Sequence, residues 1–241
     1  MKSRHGRVRM RAVSLASSLL ALLLAVLVMM LVARLQRGFI ELHDATEQYI
    51  VCANTAREMQ DGSNYLTEQA RLFTLCGDIE YLDHYFTEEN ETRRVDLSAE
   101  KLQEYSGESD SFAYITTAFQ LSRAQTEIEY RAMRLMLEAT DDDPSDWPQK
   151  LLDVQLSEAD AALSKDRMIA RAQRLVRDDE YENSKDLIYQ YIAKYRDILV
   201  SETKDEQTLA TKDLKFTLQS VEHGAVLLLL IIFASWWLIF W

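Results

Sequence analysis

ELHDATEQYIVCANTAREMQDGSNYLTEQARLFTLCGD, residues 41–78, places Leu42, Ala45, Tyr49, Cys52, Ala56, Met59, Ser63, Leu66, Ala70 and Phe73 at alternating steps of three and four. That spacing holds one stripe on one side of a helix and has the form of a heptad seam. Only Gly38 and Gly62 interrupt residues 34–75, and each costs a helix about 1 kcal/mol, too little to end it. Gly77 and Asp78 are the first real stop. Glycine accepts the left-handed conformation that closes a helix, and Asp78 can cap the next one by accepting backbone N–H bonds. The pattern predicts one rod up to Leu75 and a reversal of direction at Gly77–Asp78.

Upstream, residues 12–33 are uncharged and apolar, and residues 224–241 repeat the pattern at the other end. About 20 apolar residues at about 1.5 Å each cover a hydrocarbon core of about 30 Å, so both stretches read as transmembrane helices. Lys2, Arg4, Arg7, Arg9 and Arg11 precede the first with no acid among them, which by the positive-inside tendency keeps residues 1–11 in the cytoplasm. A cleaved secretory signal is the competing reading of that start. A signal core spans only about 7 to 15 residues, whereas this one continues through Met29, Met30 and Leu31 and lacks a small-x-small cleavage site, which favours an uncleaved anchor. Residues 34–222 are then expected outside the membrane.

All 39 acidic residues lie between the two spans, against 22 of the 27 basic ones, a balance of −17. So acidic a segment repels nucleic acid and anionic lipid, which argues against a DNA or RNA partner. With six Gly and two Pro in the chain, helix should dominate it. A second helix is expected from Ile79 to Tyr105 with a thin stripe of Tyr81, Tyr85, Val95, Ala99 and Leu102. Ser106, Gly107 and Ser109 make the next turn, and a third helix follows with Tyr114, Ala118, Leu121, Ile128, Ala132, Leu135 and Ala139 on one face. Residues 141–148 read as a loop, 149–179 as one or two shorter helices. From Tyr181 a last long helix with Leu187, Ile188, Tyr191, Tyr195 and Ile198 leads into the second span through the polar stretch 201–208. The expected fold class is all-α: an antiparallel four-helix bundle whose first and last helices continue into the membrane.

Cys52 and Cys76 both fall on the first rod, 24 residues or about 36 Å apart, too far for a disulfide that tolerates about 7 Å between Cα atoms. Two buried thiols are expected, with pairing of Cys52 to its twin across a dimer as the alternative.

No catalytic motif is present: there is no Gly-rich phosphate loop, no His-Glu-x-x-His, no Cys-x-x-Cys and no nucleophile elbow, so no catalytic residue and no cofactor is assigned. The acids of 141–146 lack the glycine and terminal Glu of a calcium loop and read as a solvated cap, so no metal is assigned. Counting along the up-down helices, with reversals near 77 and 107, sets position 131 level with 71. Arg71, Arg131 and Arg134 then share a layer with His84, and Tyr81 and Tyr130 lie within about one or two turns of it. Guanidinium forks beside aromatic rings could hold a carboxylate or another small anion. The competing reading pairs these arginines with Glu68, Asp78, Glu127 or Glu129 at the surface.

Tyr65, Leu66, Thr67, Arg71, Phe73, Gly77, Asp78, Tyr81, Leu82, Tyr85 and Phe86, at their observed spacing, resemble the helical-bundle sensor domains of bacterial transmembrane receptors: chemoreceptors, histidine kinases and membrane diguanylate cyclases. The likeness covers residues 60–90, with a second contribution from Glu129, Tyr130, Ala132, Met133, Arg134 and Leu135, about a fifth of the chain. Cys76 stands where such sequences commonly have Thr. The resemblance implies a bacterial plasma-membrane sensor, homodimeric, that passes an extracytoplasmic stimulus through its last helix to a cytoplasmic signalling module in cis or in trans. That module is not in this sequence, so the chain is expected to be either the sensor part of a longer protein or one that signals through a partner. A non-catalytic membrane scaffold that recruits a partner through its acidic helices is the rival class.

Overall fold

The computed structural model describes residues 3–106, 109, 111–140 and 144–240; Gly107 in the second expected turn, Asp141, Asp142 and Asp143 of the expected loop, Lys2 and Trp241 lie outside them. The described residues are mostly helical, and there is no strand among them. The helices are α1 (Ser3–Cys76), α2 (Ile79–Thr87), α3 (Arg94–Ser106), α4 (Phe112–Ala139), α5 (Gln149–Leu152), α6 (Glu158–Ala161), α7 (Lys165–Leu175) and α8 (Asp179–Phe240). They group into two units: Gln48–Ser201, and Met1–Glu47 with Glu202–Trp241.

In the first unit, the seam of α1 is buried at Cys52, Ala56, Met59, Ser63, Leu66, Ala70 and Phe73, as its three-four spacing requires. The helix stops where expected. Gly77 adopts φ +71°, and the Asp78 side chain accepts the backbone N–H of Glu80 at 3.1 Å. α2 then buries Leu82, Tyr85 and Phe86.

The second helix does not run unbroken to Tyr105. It passes into a π-helical turn at Glu88–Thr92, ends at Arg93 in the left-handed conformation (φ 50°), and restarts as α3. Two contacts account for the break. The buried carboxylate of Glu88 takes Nε and Nη2 of Arg94 at 2.8–3.0 Å. Gly62 of α1 also lets α3 approach so closely that a Cβ there would meet Cβ of Arg94 at 2.8 Å and the backbone N of Val95 at 3.3 Å.

α4 buries part of the predicted face, with Tyr114, Leu121 and Ile128 only half-buried, and further residues beside it. Ala118, Ala132, Leu135 and Ala139 are inside, joined by Ile115, Met133 and Met136 and by the polar Ser122, Gln125, Thr126 and Glu129. Its register against α1 follows the counted one. Ser63 meets Ser122 at 3.1 Å, and Thr67 meets both Gln125 and Glu129, separations of 59, 58 and 62 residues. Residues 149–179 hold three helices instead of one or two, because Ser157 caps α6 through the Asp160 N–H and thereby starts an extra turn. α7 packs on α4 and buries Met168, Ala172 and Leu175.

α8 begins with the Asp178 carboxylate accepting the N–H of Tyr181 at 2.9 Å. Its inward face is Tyr181, Ile188, Ile192, Tyr195 and Leu199. Leu187, expected inside, is 42% exposed, and Ile198 is half-buried. A register anchored on Tyr181 and stepping by seven, four, three and four carries both off the buried face. Cys52 is fully buried and Cys76 exposed, so the expectation of two buried thiols holds for Cys52 alone; Cys76 sits in the last turn of α1, where its thiol donates to the Leu72 carbonyl at 3.1 Å. The two are not bridged to each other.

The other unit joins the amino-terminal part of α1 to the carboxy-terminal part of α8, antiparallel. Arg34 reaches both carboxylate oxygens of Asp213 at 3.1 and 3.2 Å, and Gln207 donates to Thr46. Gly224 faces Val28, where an added Cβ would lie 3.0 Å from Cγ2, the close approach that small residues permit between apolar helices. The rest of the apolar surface is bare: Leu15, Leu19, Leu23, Met29, Phe233 and Trp237 are each at least 60% exposed. By length and composition α1 and α8 could each cross a membrane, and such bare apolar flanks suit lipid.

Candidate functional site

The six residues expected to gather round an anion are all in the unit of residues 48–201, each with partners of its own. Arg71 donates from Nε to the Val176 carbonyl at 2.9 Å, forms an ion pair with Glu182, and lies over the Tyr181 ring at 5.2 Å. Arg131, in the layer the register assigns it, turns to Asp160 of α6, with Nε to Oδ2 2.8 Å. Arg134 binds Glu138, the Leu151 carbonyl and the face of Trp147. Tyr130 donates its hydroxyl to Glu89, Tyr81 packs against the core, and the exposed His84 lies 4.0 Å from Glu80. The three guanidinium groups face three different acids, Glu182, Asp160 and Glu138, none of them among the acids expected.

What the fold does gather is a polar centre around Glu129, 2% exposed on α4. Its carboxyl accepts the hydroxyls of Thr67 from α1 (3.0 Å), Tyr85 from α2 (2.8 Å) and Tyr181 from α8 (2.5 Å). Gln125 adds a bond to the Thr67 oxygen at 3.1 Å. Burial pushes the Glu129 carboxyl above the usual carboxylate range, outweighing the three hydroxyls and the charge of Arg71, which favour the ionised form. Burial, with the facing Glu129 charge, raises both tyrosines in turn. Among the described residues no cation forms an ion pair with the group, so the centre works as a hydrogen-bonded knot: a displacement of α1, α2 or α8 relative to α4 stretches at least one of its bonds.

Sequence reasoning missed this centre as a site, although it left a trace. Ser122, Gln125, Thr126 and Glu129 recur at helical steps on α4, opposite Ser63 and Thr67 on α1, and polar residues repeating within an apolar stripe signal an internal network.

A second feature lies between α3 and α4. A groove of about 470 Å³ is walled by Phe112, Ile115 and Phe119 and edged by Asp96, Glu100, Arg93 and Arg123. The charges are cross-linked: Arg123 to Asp96 at 3.1 Å, Arg93 to Glu100 at 3.3 Å. Its volume falls in the range of small-molecule sites, about 300–1,000 Å³. Among the described residues no group of three or more His, Cys, Asp or Glu side chains is placed to hold a metal ion.

Comparison of the chain with known protein families, with characterised proteins and with solved structures gave no match in any of the three.

Proposed function

We propose that the chain is the membrane-embedded input module of a sensory system, with an antiparallel four-helix-bundle domain over residues 34–222 outside a bacterial plasma membrane, spans at 12–33 and 224–241, and residues 1–11 in the cytoplasm. It works as a homodimer and passes its signal to a cytoplasmic module in cis or in trans. The supporting observation is that the same two helices, α1 and α8, carry both an apolar membrane-length segment and a hydroxyl bound to Glu129, Thr67 on one and Tyr181 on the other. An event that disturbs the buried centre is thereby transmitted along helices that enter the bilayer. Shifts of about 1 to 2 Å are typical of such helix movements. The polar stretch 201–208 of α8, where only Thr203 is buried, offers little resistance to sliding.

Disulfide crosslinking between cysteines introduced along 34–45 and 204–221 tests the reading in membranes. Crosslinking rates that redistribute along the helix when stimulus is added support it. Identical patterns in a receptor whose cellular response is intact favour the scaffold instead.

A further inference from the structure

The geometry points to Glu129 as a proton-binding switch: taking up a proton turns its carboxyl from an acceptor of three hydroxyls into a donor to one of them, and so changes how α1, α2 and α8 are tied to α4. The stimulus is then acidification of the medium around the domain. This deepens the sensory reading and rests on it for the use made of the switch, though not for the chemistry.

The inventory of donors and acceptors fits the ionised carboxyl. Oε1 accepts the hydroxyls of Thr67 and Tyr181, and Oε2 accepts that of Tyr85. The Thr67 oxygen in turn accepts Nε2 of Gln125 at 3.1 Å. An ionised carboxyl only accepts, so three hydroxyls can point at it at once; a neutral one carries a hydrogen that must itself point at an acceptor. The carboxyl is buried, and the oxygens bonded to it are those of the three hydroxyls. Whichever of them receives the proton has to turn its own hydrogen elsewhere, which reverses or breaks one link between helices.

Loss of the charge has a second effect. Hydrogen bonds to an ionised group are about twice as strong as those between neutral groups, so protonation weakens the links that remain. Two of the three run to α1 and α8, the helices that carry the membrane-length apolar segments. The cost of burying the charge disappears at the same step, so the neutral form is a second folded arrangement and not an unfolded one.

The surroundings set where the switch works. From α1 comes Arg71, already paired with Glu182 and bonded to the Val176 carbonyl. α2 brings Tyr85, and the π-helical turn after it brings Glu89, whose charge bears on Tyr85 and whose carboxyl holds Tyr130 of α4. α8 brings Tyr181 and Lys185, both of which feel the Glu129 charge. α3 and α7 also pack on α4 but, among the described residues, send no hydrogen bond to the carboxyl. Burial outweighs the hydroxyls and Arg71 and lifts the carboxyl from the ordinary glutamate value of about 4.3 toward the mildly acid range. The same burial raises both tyrosines, so they stay protonated and able to donate.

The test uses the full chain in lipid nanodiscs, with Cys76 replaced by Ser and spin labels on cysteines introduced at the exposed Ala124 of α4 and Gln190 of α8, and follows two quantities between pH 4 and 8. The infrared carbonyl band of neutral carboxylic acids should lose one component as pH rises, with a midpoint above about 4.3, and Glu129→Gln should lack that component. The distance between the labels should change with the same midpoint, and in Glu129→Gln should keep its acid value at every pH. Tyr181→Phe keeps the carboxyl but removes a donor that favours its ionised form; it should raise the midpoint by about one unit and uncouple the label distance from it, and it serves if Glu129→Gln does not fold. A carboxyl that holds one charge state across the range, a distance that ignores its titration, or a distance that still follows pH in Glu129→Gln would overturn the proposal. Coupled titration and distance with no movement of 204–221 against 34–45 keeps the switch and removes the sensory reading; movement there in response to another stimulus, while Glu129 does not titrate, does the reverse.

Discussion

Glu129 concentrates the electrostatic cost of this core. Because its folded pKa lies above the ordinary carboxylate value, its contribution to stability is complete below the unfolded pKa and is lost as pH rises through the folded one. Thermal melting of wild type between pH 4 and 8 should therefore show a decline that Glu129→Gln lacks; parallel curves would mean that the carboxyl is neutral across the range or that it titrates as in water. Asp160 has the opposite sign. Burial raises its pKa, but the hydrogen bond and charge of Arg131, helped by Ser157 and Arg171, outweigh burial and hold the carboxyl below its usual range. Its stabilisation is present above the unfolded pKa and disappears as pH falls through the folded one. Asp160→Asn should cost about 1–3 kcal/mol at pH 7, read by denaturant melts, with the deficit shrinking in acid.

Two glycines act at the scale of the helices. Gly77 holds φ +71°, so Gly77→Ala should destabilise by about 1–2 kcal/mol and Gly77→Asn by less, measured by thermal or urea unfolding. Gly62 has a different role. Its conformation is ordinary, but a methyl there would sit 2.8 Å from Arg94 Cβ and press on the Val95 backbone, so Gly62→Ala should cost about 1–3 kcal/mol despite its higher helix propensity. If that variant is instead more stable, the close packing of α3 on α1 is wrong. The stop at Gly77–Asp78 was legible in sequence because its causes, a left-handed glycine and a capping acid, are local. The break at Arg93 was not, because it depends on a glycine 31 positions earlier and on a buried carboxylate that grips Arg94.

For the whole molecule, topology is the measurable consequence. With residues 34–222 outside, and with the exposed Cys76 replaced by Ser, cysteines placed at Glu158 and Asp186, the former exposed on α6 and the latter on α8, should react with an impermeant thiol reagent in intact cells, and a cysteine at Arg4 should not. Labelling of the first two only after lysis would reverse the threading and with it the sensory reading.

Spacing and composition by themselves determined the helical class, the two apolar membrane-length segments, the buried seam of α1 and the level that α4 takes beside it. These are properties of period, length and charge, carried by near neighbours in the chain. Only tertiary packing decided that Thr67, Tyr85 and Tyr181 converge on Glu129, and that Arg71, Arg131 and Arg134 turn to separate acids. Helical period says which face a side chain is on; which way its last atoms turn depends on what the other helices bring to meet it.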